Sequence, residues 1–234
     1  MRRDAEDMLA GAVAGIPRAR TRVVPARSAA HGLDQLAESL QDAALVVGSS
    51  HRGAVGRVLA GSVSERLLHG APCPVAVAPV GFHERSGHGL RVVGCGFDGS
   101  DESRLALRHA ALFARRAGAS LRLLAVHDYE LIFGIDDVPA GYDPAAISRD
   151  ARARLERELD EAAASIEPGV EVQRYVLEGS APEALASAAE NGIDLLVVGS
   201  RQYGPVRRVL LGGVSTQLVR SSPTSILVVP RAGA

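Results

Sequence analysis

The chain has 234 residues, 47% of them apolar, with no tryptophan and 3% aromatic residues, so its core must be built from Val, Leu and Ala, as in parallel sheets covered by helices. A formal net charge of -1 gives no electrostatic reason to expect nucleic acid or an anionic membrane as partner. Cys73 and Cys95 are the only cysteines and lie far apart, which excludes a disulfide framework and a C-x-x-C zinc or redox motif; small buried residues in a reducing compartment are expected instead.

Met1-Arg2-Arg3 runs into Asp4, Glu6 and Asp7 rather than an apolar stretch, and no apolar run is long enough for a bilayer, so a cytoplasmic protein is expected. The first elements are a helix over about 4–14, a strand at Arg22–Pro25 and a helix over about 30–40. A strand at Leu45–Gly48, a helix over about 62–69 and a strand at Val75–Ala78 follow. Gly81–Gly89, "GFHERSGHG", reads as a linker, with His83 and His88 as solvated residues rather than a metal site.

"LRVVGCGF" (90–97) is a buried strand ending in Asp98-Gly99-Ser100, and Ser100 caps a helix that carries Asp101 and Glu102 in its first turn. Leu105, Ala106, Ala110 and Phe113 form that helix's apolar stripe, and Gly118 ends it. "LRLLAV" (121–126) is the next strand, and residues 128–146 read as an excursion loop punctuated by Gly134, Pro139, Gly141 and Pro144. The following helix buries Ile147, Ala151, Leu155, Leu159 and Ala162, with Arg152–Glu156, Arg154–Glu158 and Arg157–Glu161 pairs on its wet side. "VEVQRYVL" (170–177) alternates like a strand near an edge, and Ser180 to Glu183 reads as a capping box opening a short helix. "DLLVVG" (194–199) is a central strand, a glycine loop and a helix near Val214 follow, and "ILVVP" (226–230) closes the chain.

A repeat organises these elements. "LVVGSSHRGAVGRVLAGSVSERLLHGAPCPVAVAP" from Leu45 and "LVVGSRQYGPVRRVLLGGVSTQLVRSSPTSILVVP" from Leu196 align without a gap at an offset of 151. Gly48 falls on Gly199, Gly53 on Gly204, Gly61 on Gly212, Ser64 on Ser215 and Pro72 on Pro223. The second copy is preceded by about 60 residues that have no counterpart before the first. The expected architecture is α/β: two repeats of a Rossmann-like open parallel sheet with helices on both faces, the first repeat lacking its strands 1 and 2. The domains are expected at 1–80 and 90–234, joined by 81–89, and the gap in the first repeat reads as a fragment or a misassigned start.

In an open α/β sheet, ligands sit at the carboxyl ends of the strands, where the strand order switches. Gly199 is expected to let the chain turn sharply off its strand, and Gly212 and Gly213 leave bare N–H groups at a helix start, a phosphate site to which Ser215 adds a hydroxyl. A tight turn without ligand accounts for the same glycines. No Lys follows in Walker fashion, which excludes a P-loop. Asp98 faces the same crevice and can accept hydrogen bonds from a ribose or adenine edge; as part of Asp-Gly-Ser it also suits a plain turn. Arg207, Arg208 and Arg220 suit a terminal phosphate or a solvated helix face.

The two repeated strings and "GFDGSDESRLAL" resemble the universal stress protein family in its tandem-domain form. The resemblance implies sheet order 3-2-1-4-5 and an ATP site built from an Asp after the first strand and a G-x2-G-x9-G-S/T loop after the fourth. It implies a nucleotide site of Phe97, Asp98, Val126, Gly199, Gly204, Gly212, Gly213, Val214 and Ser215, with ATP, alone or with Mg2+, as ligand. Two positions depart from the motif: Gln202 stands at its second glycine, where it adds bulk near the ribose and phosphates, and Gly213 stands at the S/T position, where it keeps the backbone donor. Gly204 offers a substitute turn. In the first copy Gly48, Gly61 and Ser62 fit, His51 replaces the second glycine, and the first-strand Asp is absent, so at most one nucleotide per chain is expected.

The resemblance further implies fifth strands that pair across a two-fold axis, so Val75–Ala78 and Ile226–Val229 are expected as edge strands meeting across the interdomain interface, and the assembly as a homodimer or an intramolecular pseudo-dimer. The implied function is a stress response through nucleotide-dependent conformational signalling, without enzymatic activity, nucleic acid or membrane. A nucleotide-free interaction module of the same fold and a weak ATP hydrolase are the alternatives.

Overall fold

The computed structural model describes residues 2–40, 42–49, 61–82, 89–128, 143–200, 209 and 211–231. Among them the first elements are α1 (Arg2–Ala12), α2 (Ala29–Glu38), β1 (Leu45–Gly48), α3 (Ser62–Leu67) and β2 (Val75–Ala78). Then come β3 (Val92–Gly96), α4 (Asp101–Ala117), β4 (Ser120–His127), α5 (Pro144–Ala164), β5 (Val172–Glu178) and α6 (Ala181–Glu190). The last three are β6 (Leu195–Gly199), α7 (Gly213–Ser221) and β7 (Ser225–Val229).

The strands form one seven-stranded sheet in the order β1-β2-β7-β6-β3-β4-β5. From β7 to β5 every pairing is parallel, and the helices between successive strands supply the crossovers. Taken alone, these five strands have the order 3-2-1-4-5 expected from the sequence. β1 and β2 are parallel to each other, and β2 joins β7 antiparallel with Val75 opposite Val228 and Val77 opposite Ile226. The two repeat-related strands therefore meet as expected, but the junction makes them interior strands of a continuous sheet rather than edges.

Side-chain alternation divides the core between the two faces of the sheet. Leu196 and Val198 of β6 pack with helices α2, α3, α6 and α7, through residues such as Leu67, Leu185 and Leu218. Leu195 and Val197 of the same strand pack with α4 and α5, through Ala106, Ala110, Ala114 and Leu159. The run of alanines along α4 lets that helix lie close to the strands. Cys73 and Cys95 are buried free thiols. Burial pushes the Cys95 thiol far up, and the nearby Asp98 carboxylate adds to the shift.

Several local expectations change. Arg22–Pro25 forms no strand. A strand is held by its neighbours, and among the described residues β1 pairs only with β2, so no ladder reaches this segment. Pro144 to Ala146 belong to α5, capped by Asp143, whose side chain accepts from the Ala145 N–H; the rest of the expected excursion, 129–142, lies outside the described residues. Ser180 precedes α6 but makes no side-chain cap, and Pro182, in the first turn, has no N–H to offer it. The Arg152–Glu156 and Arg154–Glu158 pairs form. β5 lies at the sheet edge, as its alternation indicated.

Candidate functional site

A cavity of about 540 Å³ opens at the carboxyl ends of β3, β4 and β6. The chain order makes this the switch point: from β3 the crossover to β4 goes one way across the sheet, while β6 lies on the other side. Phe97, Asp98, Val126, Gly199, Gly212, Gly213, Val214 and Ser215 all line the cavity. Gly204, Gln202, Arg207 and Arg208 lie outside the described residues, as does His51 of the first repeat.

Asp98 is exposed at the end of β3. Its Oδ1 accepts from the Ser100 N–H at 3.0 Å and from the Ser100 hydroxyl. Ser100 Oγ in turn accepts from the Ser103 N–H at 3.2 Å, capping α4, while Gly99 takes the left-handed conformation at φ 76°. The turn and the expected cap therefore coexist, and Asp98 Oδ2 has no hydrogen-bond partner among the described residues. Phe97 is buried with the α4 side of the core, and the Arg104 guanidinium lies 5.7 Å from its ring centroid.

Gly199 has no positive φ, and its close neighbours give it a packing role. A Cβ there would lie 2.9 Å from Glu102 Cβ and 3.0 Å from the Glu102 carbonyl carbon. Glycine is required so that the first turn of α4 can lie against the end of β6. The aligned Gly48 has nothing within 4 Å of the same position.

At the opposite wall, Gly212 is the N-cap residue of α7. Its N–H donates to Ser215 Oγ at 2.8 Å, so the buried Ser215 hydroxyl holds the start of the helix in shape. The N–H groups of Gly213 and Val214 fall in the first turn, where no intrahelical acceptor exists. The positive end of the helix dipole adds to their pull on an anion. Nothing lies within 4 Å of a Cβ placed on Gly213, so the start of the helix has room beside it for a ligand.

Residues that sequence reasoning missed complete the site. Leu124 joins Val126 on the wall because alternate residues of β4 share a face, and Val198 and Leu185 extend the apolar surface. Glu102 and Asp128 add carboxylates; Glu102 is largely buried, with Arg231 Nε 3.5 Å from its Oε1. Ser200 lines the cavity directly after Gly199; its position in the motif, beside a residue already singled out, was the available signal. The arrangement offers apolar walls for a flat ring, a carboxylate for hydroxyl or amino groups, and bare amides for an anion.

A second polar group lies at the β4–β5 end of the sheet. His127, 2% exposed, has Nδ1 3.2 Å from Glu178 Oε2 and Nε2 3.5 Å from Ser148 Oγ. Arg152 binds the other Glu178 oxygen. No Ser–His–carboxylate arrangement was legible in the sequence, because its members come from β4, α5 and β5. Among the described residues no group of three or more His, Cys, Asp or Glu side chains could hold a metal ion, and no helix is long and apolar enough to cross a membrane.

The model of the universal stress protein family matches residues 2–79 and 89–230. A universal stress protein of Mycobacterium tuberculosis is 32% identical over 209 residues, which cover 87% of this chain and 70% of that one. One from Mycolicibacterium smegmatis is 34% identical over 203 residues, covering 84% of this chain and 66% of that one. Among solved structures, a universal stress protein from Archaeoglobus fulgidus superposes with a TM-score of 0.66 at 25% identity, over 99% of this chain and 77% of that one. The switch-point cavity, the glycine-loop helix start and these matches lead to one conclusion: the chain belongs to the universal stress protein family.

Proposed function

We propose that this chain binds one adenine nucleotide, ATP, in the cavity at the ends of β3, β4 and β6, and uses it for conformational signalling in a stress response. The observation that carries the reading is convergence. Eight residues chosen from separated parts of the sequence line one cavity whose volume, about 540 Å³, suits a nucleotide-sized ligand. The apolar wall of Leu124, Val126 and Val198 suits the adenine, Asp98 suits the ribose, and the Gly213 and Val214 amides suit phosphate oxygens.

The route for a signal follows the chain. α7 leads directly into β7, and β7 forms the antiparallel junction with β2, so ordering the start of α7 bears on the seam between two family units. Those units are read as 1–80 and 90–234 with 81–89 between them, an intramolecular pseudo-dimer in a reducing, cytoplasmic compartment. The role is binding rather than turnover.

The test is nucleotide analysis of protein purified under native conditions and then denatured, followed by ATP titration of the emptied chain. ATP or another adenine nucleotide at up to one per chain supports the reading. Failure to retain or bind any adenine nucleotide turns it to the nucleotide-free interaction module, which Gln202 at the second motif glycine favours.

A further inference from the structure

We infer that the Ser200 hydroxyl is a ligand-binding group of this cavity and donates a hydrogen bond to an oxygen of the nucleotide's ribose-phosphate portion. The inference rests on the nucleotide reading above and adds to it a residue at a variable position of the glycine motif.

The two repeats provide an internal comparison. Ser49 and Ser200 occupy the same place, directly after Gly48 and Gly199. Both backbones make the same turn: the Ser49 N–H donates to the Ala78 carbonyl at 2.8 Å, and the Ser200 N–H donates to the Val229 carbonyl at 2.9 Å. The side chains differ. Ser49 Oγ donates to the Ala78 carbonyl at 2.7 Å, so its hydroxyl is satisfied within the fold. Ser200 Oγ makes no such bond to Val229 and has no hydrogen-bond partner among the described residues, although the residue is only 8% exposed.

A buried hydroxyl without a partner costs about 1–3 kcal/mol. In the first repeat the same turn removes that cost with a local acceptor; in the second it remains, at the wall of the large cavity. The unpaired group shares that cavity with the bare first-turn amides of α7, a helix of 9 residues. Two kinds of donor without acceptors, on different elements, thus lie at one cavity, the Ser200 Oγ itself being buried in its wall. A ligand rich in oxygen acceptors satisfies both once the serine turns about χ1 to bring its buried hydroxyl to the cavity. The second repeat also lacks a hydroxyl elsewhere: Gly213 stands where the first repeat has Ser62.

The experiment compares wild type with Ser200→Ala, Ser49→Ala and the double variant Ser200→Ala/Gly213→Ser, using the full chain. Calorimetric titration with ATP and thermal unfolding of the ligand-free protein are the two readouts. Ser200→Ala is expected to weaken ATP binding at least fivefold while the ligand-free Tm stays the same or rises, because removing an unsatisfied hydroxyl relieves a burial cost. Ser49→Ala is expected to lower the ligand-free Tm and leave ATP affinity unchanged. Gly213→Ser is expected to recover part of the affinity lost in Ser200→Ala. Wild-type affinity in Ser200→Ala overturns the inference and leaves the nucleotide reading intact. A fall in ligand-free Tm for Ser200→Ala also overturns it, since the hydroxyl then acts in the fold. A wild-type chain that binds no adenine nucleotide removes the reading itself and the inference with it.

Discussion

Val46 and Val197 occupy the same position in the two repeated segments, yet Val197 is fully buried and Val46 is 73% exposed. Val197 lies under α4 with Ala106 and Ala110, on a strand flanked by β3 and β7. Val46 lies on β1, which pairs only with β2 among the described residues. One side chain in one local motif therefore has two environments, decided by the β3–α4 unit that accompanies only one of them.

The contrast sets opposite expectations for the same substitution. Val197→Lys buries an unpaired charge and is expected to cost about 4 kcal/mol or more. Val46→Lys is expected to change stability by no more than about 0.5 kcal/mol and to reduce self-association, since lysine on an open strand edge discourages pairing with another chain. Denaturant unfolding and light scattering of the two variants check both statements; equal destabilisation would contradict them.

Gly199 and Gly48 give a second matched pair. Gly199→Ala forces the Glu102 backbone away from β6, because the new methyl has no flexible neighbour to displace, and a cost of about 1–3 kcal/mol is expected. Gly48→Ala has open space and is expected to be nearly neutral. Unfolding midpoints of the two variants measured side by side provide the check.

How far these differences were legible depends on what sets them. Strand positions and helix faces followed largely from periodicity and the repeat, since alternation is written locally, whereas the 3-2-1-4-5 order was implied by the family resemblance alone. Gly199 was visible as a required glycine, but its reason was not, because Glu102 approaches it from a helix nearly a hundred residues earlier in the chain. The Val23–Val24 pair looks like a strand, and it is not one: strand propensity cannot create a ladder partner. Ser200 and the His127–Glu178 contact were missed for a related reason, since whether a polar atom is satisfied is a property of its neighbours in space.

At the α7 side of the cavity, Gly213→Val is expected to weaken ATP binding at least tenfold, about 1.4 kcal/mol, with the fold retained. The open space around a Cβ at this position means that the side chain meets the ligand rather than the protein. Titration calorimetry with circular dichroism as a folding control tests this; unchanged affinity would place the phosphates elsewhere.

His109 on α4 sets a pH dependence. Burial lowers its pKa from the ordinary 6.5, and the Arg108 charge adds to the effect. The unfolded chain therefore takes up this proton more readily than the native one as pH falls below 6.5, so stability drops in that direction. The drop in Tm between about pH 7.5 and about pH 5.5 is expected to be smaller in His109→Gln than in wild type. Parallel Tm profiles for the two proteins would show that His109 does not contribute.

The central claim is that only the cavity bounded by Asp98 and the start of α7 holds a nucleotide. Calorimetric titration of the nucleotide-free chain with ATP tests it most directly. The expected result is one site per chain that is lost or weakened in Gly213→Val. Two equivalent sites would show that the first repeat also binds, and the absence of any binding heat together with no nucleotide released on denaturation would contradict the claim outright.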